Sequence, residues 1–559
     1  MTPEQLSRAL FDIVAARFEL RRADGESVPD AHITRADLAL ERPRNRDHGD
    51  WASNVAMKFA GRLGTNPRAF AAEITPEIEA IPGVASVDVA GPGFINITLD
   101  TAAAAQIARQ IVEAGDTYGR NDSLAGHSVN MEFVSANPTG PLHLGHTRWA
   151  ALGDAIARVL TASGAEVATE YYINDAGNQM DNFGLSILAA AQGEPTPDGG
   201  YPGAYIGELA THVLEKAPQL LDLPRDEAVG LARDLGYLQQ LEEIKDSLER
   251  FHVHFDVFFS ERTLHEIDPE TGRSLIDDAA DRLRAQGHVF EADDALWVRT
   301  TDFGDDKDRV LTRGNGVVTY FAADAAYYLS KKDRGFTEKI YLLGADHHGY
   351  VGRLKALAAA AGDDPDVSIS VLIGQLVNLN GAKLSKRAGN IIELDDLLVW
   401  VGADALRYSL ARYPADSPLS LDGDVLRSKT NDNPVFYVQY AHSRTRSVAR
   451  NAATAGVERS VFDPSLLSHE AETELLGSLQ EFPRIVQKSA ELREPHRIAR
   501  YLEEVAGHYH RWYSQARVLP LGDEPISDLH RTRLWLNDAA GQVIRNGLDL
   551  LGVSAPERM

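Results

Sequence analysis

The sequence predicts a multidomain protein, in which a doubly wound, Rossmann-like α/β domain with an insertion lies between an α+β domain and an all-α helical bundle. Strand-like and helix-like segments alternate through the middle of the chain, and helical spacing alone remains after Ser420. The chain has 559 residues, whereas domains average roughly 150 residues. We therefore place domains at residues 1–118, 119–420 and 421–559.

The N-terminal domain is expected to combine a helix with a β-hairpin. Apolar residues recur at helical spacing between Thr2 and Arg22, and the segments 84–90 and 94–99 alternate around a Gly-Pro-Gly turn. The acidic residues of the first helix argue against a transit peptide.

The central domain is expected to contain a parallel sheet, because helices and strands alternate along it. The expected elements are strands at 129–134, 167–173, 317–321, 339–343 and 368–373, and helices at 149–163 and 177–192. A Pro- and Gly-rich stretch at 193–203 interrupts this order. We interpret residues from about 200 to about 310 as the insertion.

The composition excludes several classes of site and points to a cytoplasmic protein. The chain has no cysteine, which excludes disulfides, thiolate metal sites and cysteine nucleophiles. We expect no membrane segment, because no apolar run approaches the ~20 residues that a spanning helix needs. The net charge of −26 argues against a nucleic-acid partner, but residues 427–450 form a basic strip on this acidic chain.

The strongest local signal is the segment SANPTGPLHLGH at residues 135–146, which follows a strand and precedes a helix. It places His143 and His146 at a helix N-terminus, where unpaired N–H groups favour phosphate, and Gly145 permits close approach of a ligand to the backbone. The pair suits a nucleoside triphosphate. A zinc pair or two structural histidines is the alternative.

A second signal is the segment GAKLSKRAGN at residues 381–390, in which Lys383, Lys386 and Arg387 stand between glycines. Three cations in a loop favour phosphate binding, and a solvated surface loop is the alternative.

Together these segments resemble a known family. HLGH at 143–146 and KLSKR at 383–387 resemble the HIGH and KMSKS signatures of class I aminoacyl-tRNA synthetases, in the right order. The segments that resemble arginyl-tRNA synthetases in particular are 135–140, 171–179, 344–349, 433–440 and 551–559. The resemblance therefore extends from end to end.

The resemblance implies ATP-dependent ligation of L-arginine to its cognate tRNA through an arginyl-adenylate. It assigns His143, His146, Lys383 and Lys386 to catalysis, and His143, Gly145, His146 and Lys386 to ATP. Mg²⁺ is expected to accompany ATP, with no metal bound by the protein itself. The expected partners are arginine, ATP and arginine tRNA, and we expect a monomer because no coiled-coil heptads are present.

Recognition of arginine requires acidic groups, because the guanidinium is planar and always protonated. In the family, residues at the positions of Glu132, Tyr320 and Asp324 contact the guanidinium, while Asn137 and His143 hold the amino and carboxylate groups. Adjacent side chains on an extended backbone point in opposite directions, so at most one of His347 and His348 should face the site. We prefer His347 as the further arginine ligand. Without the family, Glu132 would be expected to pair with an arginine of the protein, and Tyr320 to lie in the core.

In relatives the N-terminal domain contacts the outer corner of tRNA and the helical domain binds the anticodon. Unpaired bases are recognised by stacking and by hydrogen bonds to their edges, so the candidates are Phe94 with Asn96 on an edge hairpin, and Tyr509 with Tyr513. A core role for these aromatic residues is the alternative. The resemblance also implies that arginine activation depends on bound tRNA.

Three other functions compete with this interpretation. They are a class I synthetase for glutamate or cysteine, a nucleotidyltransferase of the same fold without tRNA, and a non-catalytic RNA-binding relative. A glutamate enzyme should present cations where this chain has Glu132 and Asp324, the absence of cysteine disfavours a thiolate–zinc pocket, and the helical domain disfavours the nucleotidyltransferase. A non-catalytic relative would be expected to lack His143, His146 or Lys386.

Overall fold

A computed structural model shows how the domains are built, and it describes residues 3–23, 38, 40–43, 48–347, 349–380 and 392–559. Lys383, Lys386 and His348 lie outside the described residues.

The N-terminal domain contains an antiparallel sheet with helices packed on it. Its elements are α1 (Pro3–Ala23), β1 (Leu40–Glu41), β2 (Trp51–Ser53), α2 (Val55–Phe59), α3 (Pro67–Glu79), β3 (Val84–Ala90) and β4 (Phe94–Leu99), followed by α4 (Thr101–Ala105) and α5 (Ile107–Ala114). The strand order is β1-β2-β4-β3, so β4 is an inner strand. Trp51, Phe59 and Phe70 are fully buried in its core. The prediction of an α+β domain is confirmed. The β3–β4 hairpin lies at the edge of the sheet, as predicted, and Phe94 and Asn96 lie on its inner strand.

The central domain is a doubly wound parallel sheet of five strands, as predicted. Its first elements are β5 (Ser128–Glu132), α6 (Leu144–Ala162), β6 (Glu166–Ile173), α7 (Asn178–Gln192), α8 (Ala204–Lys216), α9 (Arg225–Arg250) and β7 (Val257–Ser260). The next are α10 (Arg262–His265), α11 (Leu275–Ala285), β8 (Val289–Ala292), β9 (Ala295–Val298), β10 (Arg309–Thr312), α12 (Tyr320–Asp333), β11 (Glu338–Gly344), α13 (Tyr350–Ala360), α14 (Pro365–Ser368) and β12 (Ile369–Gly374).

The strand order in this sheet is β12-β11-β5-β6-β7, so the chain winds outward from β5 in one direction and then resumes at β11 on its other side. Ligands bind beyond the carboxyl ends of the strands where the order reverses, which here is the end of β5. Glu132 is the last residue of β5 and pairs with Tyr341 of β11 and Glu170 of β6. The topology therefore presents Glu132 at the ligand-binding edge.

Two predictions for the region around the insertion are wrong. β7 lies within the interval that was interpreted as one insertion, and it pairs with β6 in the main sheet. The inserted chain is thus divided into a helical part before β7 and an antiparallel sheet of β8, β9 and β10 after it.

The predicted strand at 317–321 is instead the segment that leads into a helix, together with the first two residues of that helix. Thr319 is the N-cap of α12, and its side chain accepts a hydrogen bond from the Ala322 N–H. Val317, Val318 and Thr319 have high β-propensity, but the cap and the packing of α12 decide the local structure.

The central part of the chain continues with β13 (Val377–Asn380), α15 (Leu394–Trp400), α16 (Ala403–Ala411) and β14 (Leu419–Asp422). The C-terminal unit that follows is helical, as predicted. Its elements are α17 (Gly423–Arg427), α18 (Pro434–Ala455), α19 (Glu470–Gln480), α20 (Phe482–Leu492), α21 (His496–Gln515) and α22 (Asp528–Leu550). The bundle shares one continuous apolar core with α6 and that face of the sheet. It is therefore packed directly on the helix that begins at His143.

A fully buried arginine joins the bundle to the central domain. Arg407 of α16 forms an ion pair with Asp154 of α6. Its guanidinium also donates to the Phe251 and His252 carbonyls, both at 3.0 Å, and to the Leu551 carbonyl. One side chain thereby connects α6, α9, α16 and the C-terminal end of α22.

We expect Arg407→Leu to lower the free energy of unfolding by about 3–5 kcal/mol, because it leaves Asp154 buried without its main cation. Chemical unfolding followed by circular dichroism measures the loss. Arg158→Leu is the matched control, since the partly exposed Arg158 also pairs with Asp154 and should cost less than about 1 kcal/mol. Equal losses for the two variants would contradict the role given to Arg407.

Candidate active site

Two stacked histidines form the first turn of α6. His143 is the N-cap and its Nδ1 accepts the Gly145 N–H at 3.2 Å, while His146 Nδ1 accepts the His143 N–H at 3.4 Å. The ring centroids are 3.7 Å apart and the planes 18° from parallel. A neutral imidazole whose Nδ1 accepts carries its proton on Nε2, so each ring presents an N–H donor.

Both histidines are neutral near pH 7. Burial lowers the pKa of His143, and burial with the neighbouring His143 lowers the pKa of His146 to about 3. The pair therefore offers hydrogen bonds to anionic oxygens without adding full charges, while the helix N-terminus supplies a partial positive charge.

Gly145 lies directly under the first imidazole. A Cβ at this position would stand 3.0 Å from His143 Cε1 and 3.2 Å from Nδ1, closer than ordinary packing permits. A side chain here would therefore displace the His143 ring by a few tenths of an ångström, and the glycine keeps the space in front of the helix N-terminus open.

The chain on either side of residues 381–391 lies against α6. β13 ends at Asn380, and beyond the segment the Leu144 N–H donates to the Ile392 carbonyl at 3.1 Å. The Leu394 N–H donates to the Leu142 carbonyl at 2.7 Å, and His143 forms a bridge with Glu393. The chain that leaves the second signature therefore returns to the first.

A group of acidic side chains lies beside the carboxyl ends of β5 and β7. Glu132 ends β5, Glu261 follows β7 and is buried, and Asp324 lies on the second turn of α12. Burial, with the charges of Glu261 and Glu132, raises the pKa of Asp324 to about 7, against a hydrogen bond from Tyr350 and the charge of Arg353. Burial also raises the pKa of Glu261.

The acidic pocket, which we define by Glu132, Glu261 and Asp324, therefore combines burial, the largest cause of both shifts, with a smaller contribution from repulsion between neighbouring carboxylates. The same carboxylates, after burial, raise the pKa of the neighbouring Tyr172. A bound cation would favour the ionised form of Asp324 and so lower its pKa. The arrangement is suited to a planar cation that several carboxylates can share.

Glu132 is paired with a cation of the protein itself. Its Oε2 is 2.6 Å from Lys331 Nζ, and its Oε1 accepts from the Ser135 hydroxyl at 3.2 Å. The Lys331 ammonium is fully buried between the rings of Tyr327 and Tyr341, at 4.2 Å from each centroid. The partner expected from the residues alone was an arginine, and it is a lysine that fixes the carboxylate.

The backbone after Glu132 is strained. Val134 and Ser135 have φ values of 66° and 41°, in the left-handed region that a β-branched residue rarely adopts. The Tyr172 N–H donates to Ser135 Oγ at 3.1 Å, and the Tyr171 hydroxyl donates to the Ala136 carbonyl at 2.9 Å. These two hydrogen bonds hold the backbone in its strained conformation, and backbone strain of this kind is common at binding sites.

The other candidates for arginine binding, Tyr320, Asn137 and His347, are all exposed. Tyr320 is the first residue of α12 and its side chain is 79% exposed, so the alternative of a core role is wrong. Asn137 is exposed in the loop before His143, and His347 is exposed after β11. Tyr320 and Asp324 lie on a helix and not at the end of a strand as predicted.

The four candidates for nucleic-acid contact differ in their exposure to solvent. Phe94 is 41% exposed, whereas Asn96 is buried between Ala52 and Asp88 of the flanking strands. Tyr509 is fully buried and its hydroxyl donates to Asn537 at 2.8 Å, so its proposed stacking on RNA is wrong. Tyr513 is 43% exposed.

Tyr513 belongs to a surface that the sequence did not reveal, the Arg444 patch, which comprises Phe436, Tyr440, Arg444, His510 and Tyr513. Arg444 Cζ lies 4.5 Å from the ring of Tyr440 and 4.7 Å from that of Tyr513. Phe436 and Tyr440 are stacked with centroids 5.9 Å apart and planes 9° from parallel. Aromatic faces around a guanidinium suit unpaired bases and their phosphates.

No helix within the described ranges is both long and apolar enough to cross a membrane.

Comparison with known proteins matches the whole chain to one family. Residues 5–99 match the arginyl tRNA synthetase N terminal domain, residues 108–408 the catalytic domain of class I (R) tRNA synthetases, and residues 438–559 the DALR anticodon binding domain. The arginine–tRNA ligase of Renibacterium salmoninarum is 63% identical over 559 residues, and that of Micrococcus luteus 59% over 567 residues. Both alignments cover 100% of each chain.

The structure of Thermus thermophilus arginyl-tRNA synthetase is similar with a TM-score of 0.73 at 23% identity, covering 100% of both chains. At this identity the likeness shows the fold.

Proposed function

Because the chain belongs to the arginyl-tRNA synthetase family, we propose that it ligates L-arginine to its cognate tRNA and converts ATP to AMP and pyrophosphate. The observation that carries the proposal is the acidic pocket, in which three carboxyl groups lie together at the ligand-binding edge of the sheet. It is the reverse of what recognition of glutamate would require.

The guanidinium would be held by Asp324, Glu261 and the Oε1 atom of Glu132. Lys331 already engages Glu132 Oε2, so this carboxylate has one oxygen directed to the substrate. Tyr320, at the exposed start of α12, would cover the planar face, and Asn137 with His143 would receive the amino and carboxylate groups. His347 remains a proposed further ligand.

In the first step a carboxylate oxygen of arginine attacks the α-phosphorus of ATP. The new O–P bond gives arginyl-adenylate, and the bond from the α-phosphorus to the bridging oxygen breaks to release pyrophosphate. The Nε2–H groups of His143 and His146 donate to phosphate oxygens, and Lys383 and Lys386 balance the developing charge. Mg²⁺ bound to ATP neutralises part of the phosphate charge.

In the second step a ribose hydroxyl of the terminal adenosine of tRNA attacks the carbonyl carbon of the adenylate. The family resemblance implies the 2′-hydroxyl. The arginyl group moves to that oxygen, the hydroxyl loses its proton, and AMP leaves.

The Arg444 patch is proposed to contact unpaired bases of tRNA, and Phe94 a distant part of the same molecule. The chain carries a net charge of −26, so binding depends on local basic surfaces such as the strip that contains Arg444. We further propose that the chain acts as a monomer in the cytoplasm, where its substrates occur.

The activity is tested by exchange of labelled pyrophosphate into ATP, with and without arginine tRNA. We expect exchange with arginine and none with lysine or glutamate, and we expect it to depend on tRNA. Exchange without tRNA would retain the activity and remove the dependence, whereas silence with arginine in both conditions would overturn the function.

We predict that Asp324→Asn raises the KM for arginine by roughly 10–100-fold and leaves the KM for ATP within about twofold, because a charged hydrogen bond to the guanidinium is lost. Steady-state pyrophosphate exchange measures both constants. Asp333→Asn is the matched control on the same helix, where Asp333 pairs with Arg282 far from the pocket. Equal losses of arginine and ATP affinity would contradict the assignment.

We also predict that arginine affinity falls as the pH drops below about 7. Asp324 has a pKa of about 7 in the unliganded protein, and the guanidinium binds its ionised form, so below that pH binding must release a proton. Calorimetric titrations between about pH 6 and about pH 8 should show the Kd rising by up to about tenfold per pH unit at the acid end. The Asp324→Asn variant should flatten the profile, and an unaltered slope in it would assign the titration to another group.

For the Arg444 patch, Tyr513→Ala and Arg444→Gln should each raise the KM for tRNA by roughly 5–100-fold, because stacking on a base contributes about 1–3 kcal/mol. Aminoacylation at saturating arginine and ATP measures the effect. Arg531→Gln is the control, since Arg531 lies on α22 and pairs with Asp528. Unchanged KM values for both patch variants would place the RNA elsewhere.

A further inference from the structure

We propose that Arg148, together with Trp149, is a positioning residue that fixes the chain leading into Lys383 and Lys386 to the helix that carries His143 and His146. This inference rests on the proposed function, because it concerns the geometry of adenylate formation. It assigns a role to two residues that the reaction itself does not use.

Arg148 is fully buried one turn beyond His143 on α6, and its guanidinium meets four backbone carbonyls. Nη1 donates to Gln375 at 2.6 Å and Leu376 at 3.5 Å. Nη2 donates to Pro414 at 2.9 Å and Ser417 at 2.8 Å. The two nitrogens thus hold two separate segments, one before β13 and one before β14.

Those two segments are themselves joined. The Gln375 N–H donates to the Ala415 carbonyl at 3.0 Å, the Leu419 N–H donates to the Leu376 carbonyl at 3.1 Å, and β13 and β14 then run parallel. β13 ends at Asn380, so the guanidinium of Arg148 fixes the position of the backbone that leads to residue 381.

The charge of Arg148 is expensive to bury in this position. Burial lowers its pKa to about 10, with the charge of Asp416 only partly opposing the shift, so the group remains protonated at neutral pH. Carbonyl groups take the place of a close carboxylate. A cation kept in such surroundings is explained by the fixed geometry of its two Nη groups, which reach four carbonyls at once and which a lysine cannot reproduce.

Trp149 makes a second contact with the same chain. A Cβ built on Gly374 would lie 1.2 Å from Cη2 of the Trp149 indole, so the ring packs directly against the backbone at the end of β12. Consecutive residues of α6 therefore hold consecutive parts of the chain, Gly374 through Trp149 and Gln375 through Arg148.

The other side of the second signature is tied to the start of the same helix by the backbone bonds of Leu142 and Leu144 with Leu394 and Ile392. Both flanks of residues 381–391 are thus attached to one rigid element. A displacement of about 1 Å in a reacting group can cost about 10²-fold in rate, so the attachment bears on the chemical step.

The test compares Arg148→Lys and Arg148→Gln with the wild-type enzyme in pyrophosphate exchange, in which arginine is varied up to saturation at saturating ATP and tRNA. For Arg148→Lys we expect kcat to fall by roughly 10–100-fold. The KM for arginine should stay within about twofold, since the acidic pocket is untouched, and the melting temperature within a few degrees. Should Arg148→Gln fail to fold, the lysine variant and Gly374→Ala, which displaces Trp149, carry the test with the same expected loss.

Arg158→Lys is the control, because Arg158 lies on the same helix and pairs with Asp154 away from β13. A normal kcat with a lowered melting temperature in Arg148→Lys would reduce the residue to a structural role and overturn the inference. A parallel loss of arginine affinity would overturn it as well. An inactive wild-type enzyme would instead overturn the proposed function, so the two failures are distinguishable.

Discussion

The buried guanidinium of Arg407 is the constraint on which the arrangement of the molecule depends. It meets Asp154 on α6, two carbonyls at the end of α9 and the Leu551 carbonyl after α22. A Cβ on Gly552 would stand 2.0 Å from its Nη2 atom, so even the turn after α22 is shaped around this side chain. The helical bundle, the C-terminal half of α9 and α6 consequently share one anchor, and the apolar core that runs through them is continuous.

Buried ion pairs also determine the arrangement of the acidic pocket in the catalytic domain. Lys331 of α12 and Arg334, the C-cap residue of that helix, form ion pairs with Glu132 and Glu170, which are paired across neighbouring strands. The sheet therefore buries two carboxylates with their cations, while Asp324 and Glu261 are left with raised pKa values. The internal pairs fix the geometry of the pocket, and the remaining acids are the groups that we propose to bind the guanidinium of arginine.

Much of this could be predicted from the sequence, and the misses have physical causes. β5, β6, β11 and β12 are buried and read clearly as strands, whereas β7 has only the four residues Val257–Ser260 and gives too short a signal. Glu261 and Lys331 escaped notice because no spacing along the chain relates them to Glu132, and only the sheet brings them together. Lys383 and Lys386 lie outside the described residues, so their roles stay predictions. Tyr509 could have been assigned to the core, because Ile498, Leu502, Val505, Tyr509 and Trp512 follow one apolar helical stripe.

The position of β7 at the edge of the main sheet governs how such a chain can vary in length. The inserted helices precede this strand and the inserted antiparallel sheet follows it, so both are attached to the rim and neither interrupts the inner strands. An edge strand has one hydrogen-bonded neighbour, so material added before or after it leaves the other strand pairings intact. Proteins with this fold can therefore gain or lose whole inserted units next to the edge strand. The inner strands, and the substrate-binding residues at their ends, are left unchanged.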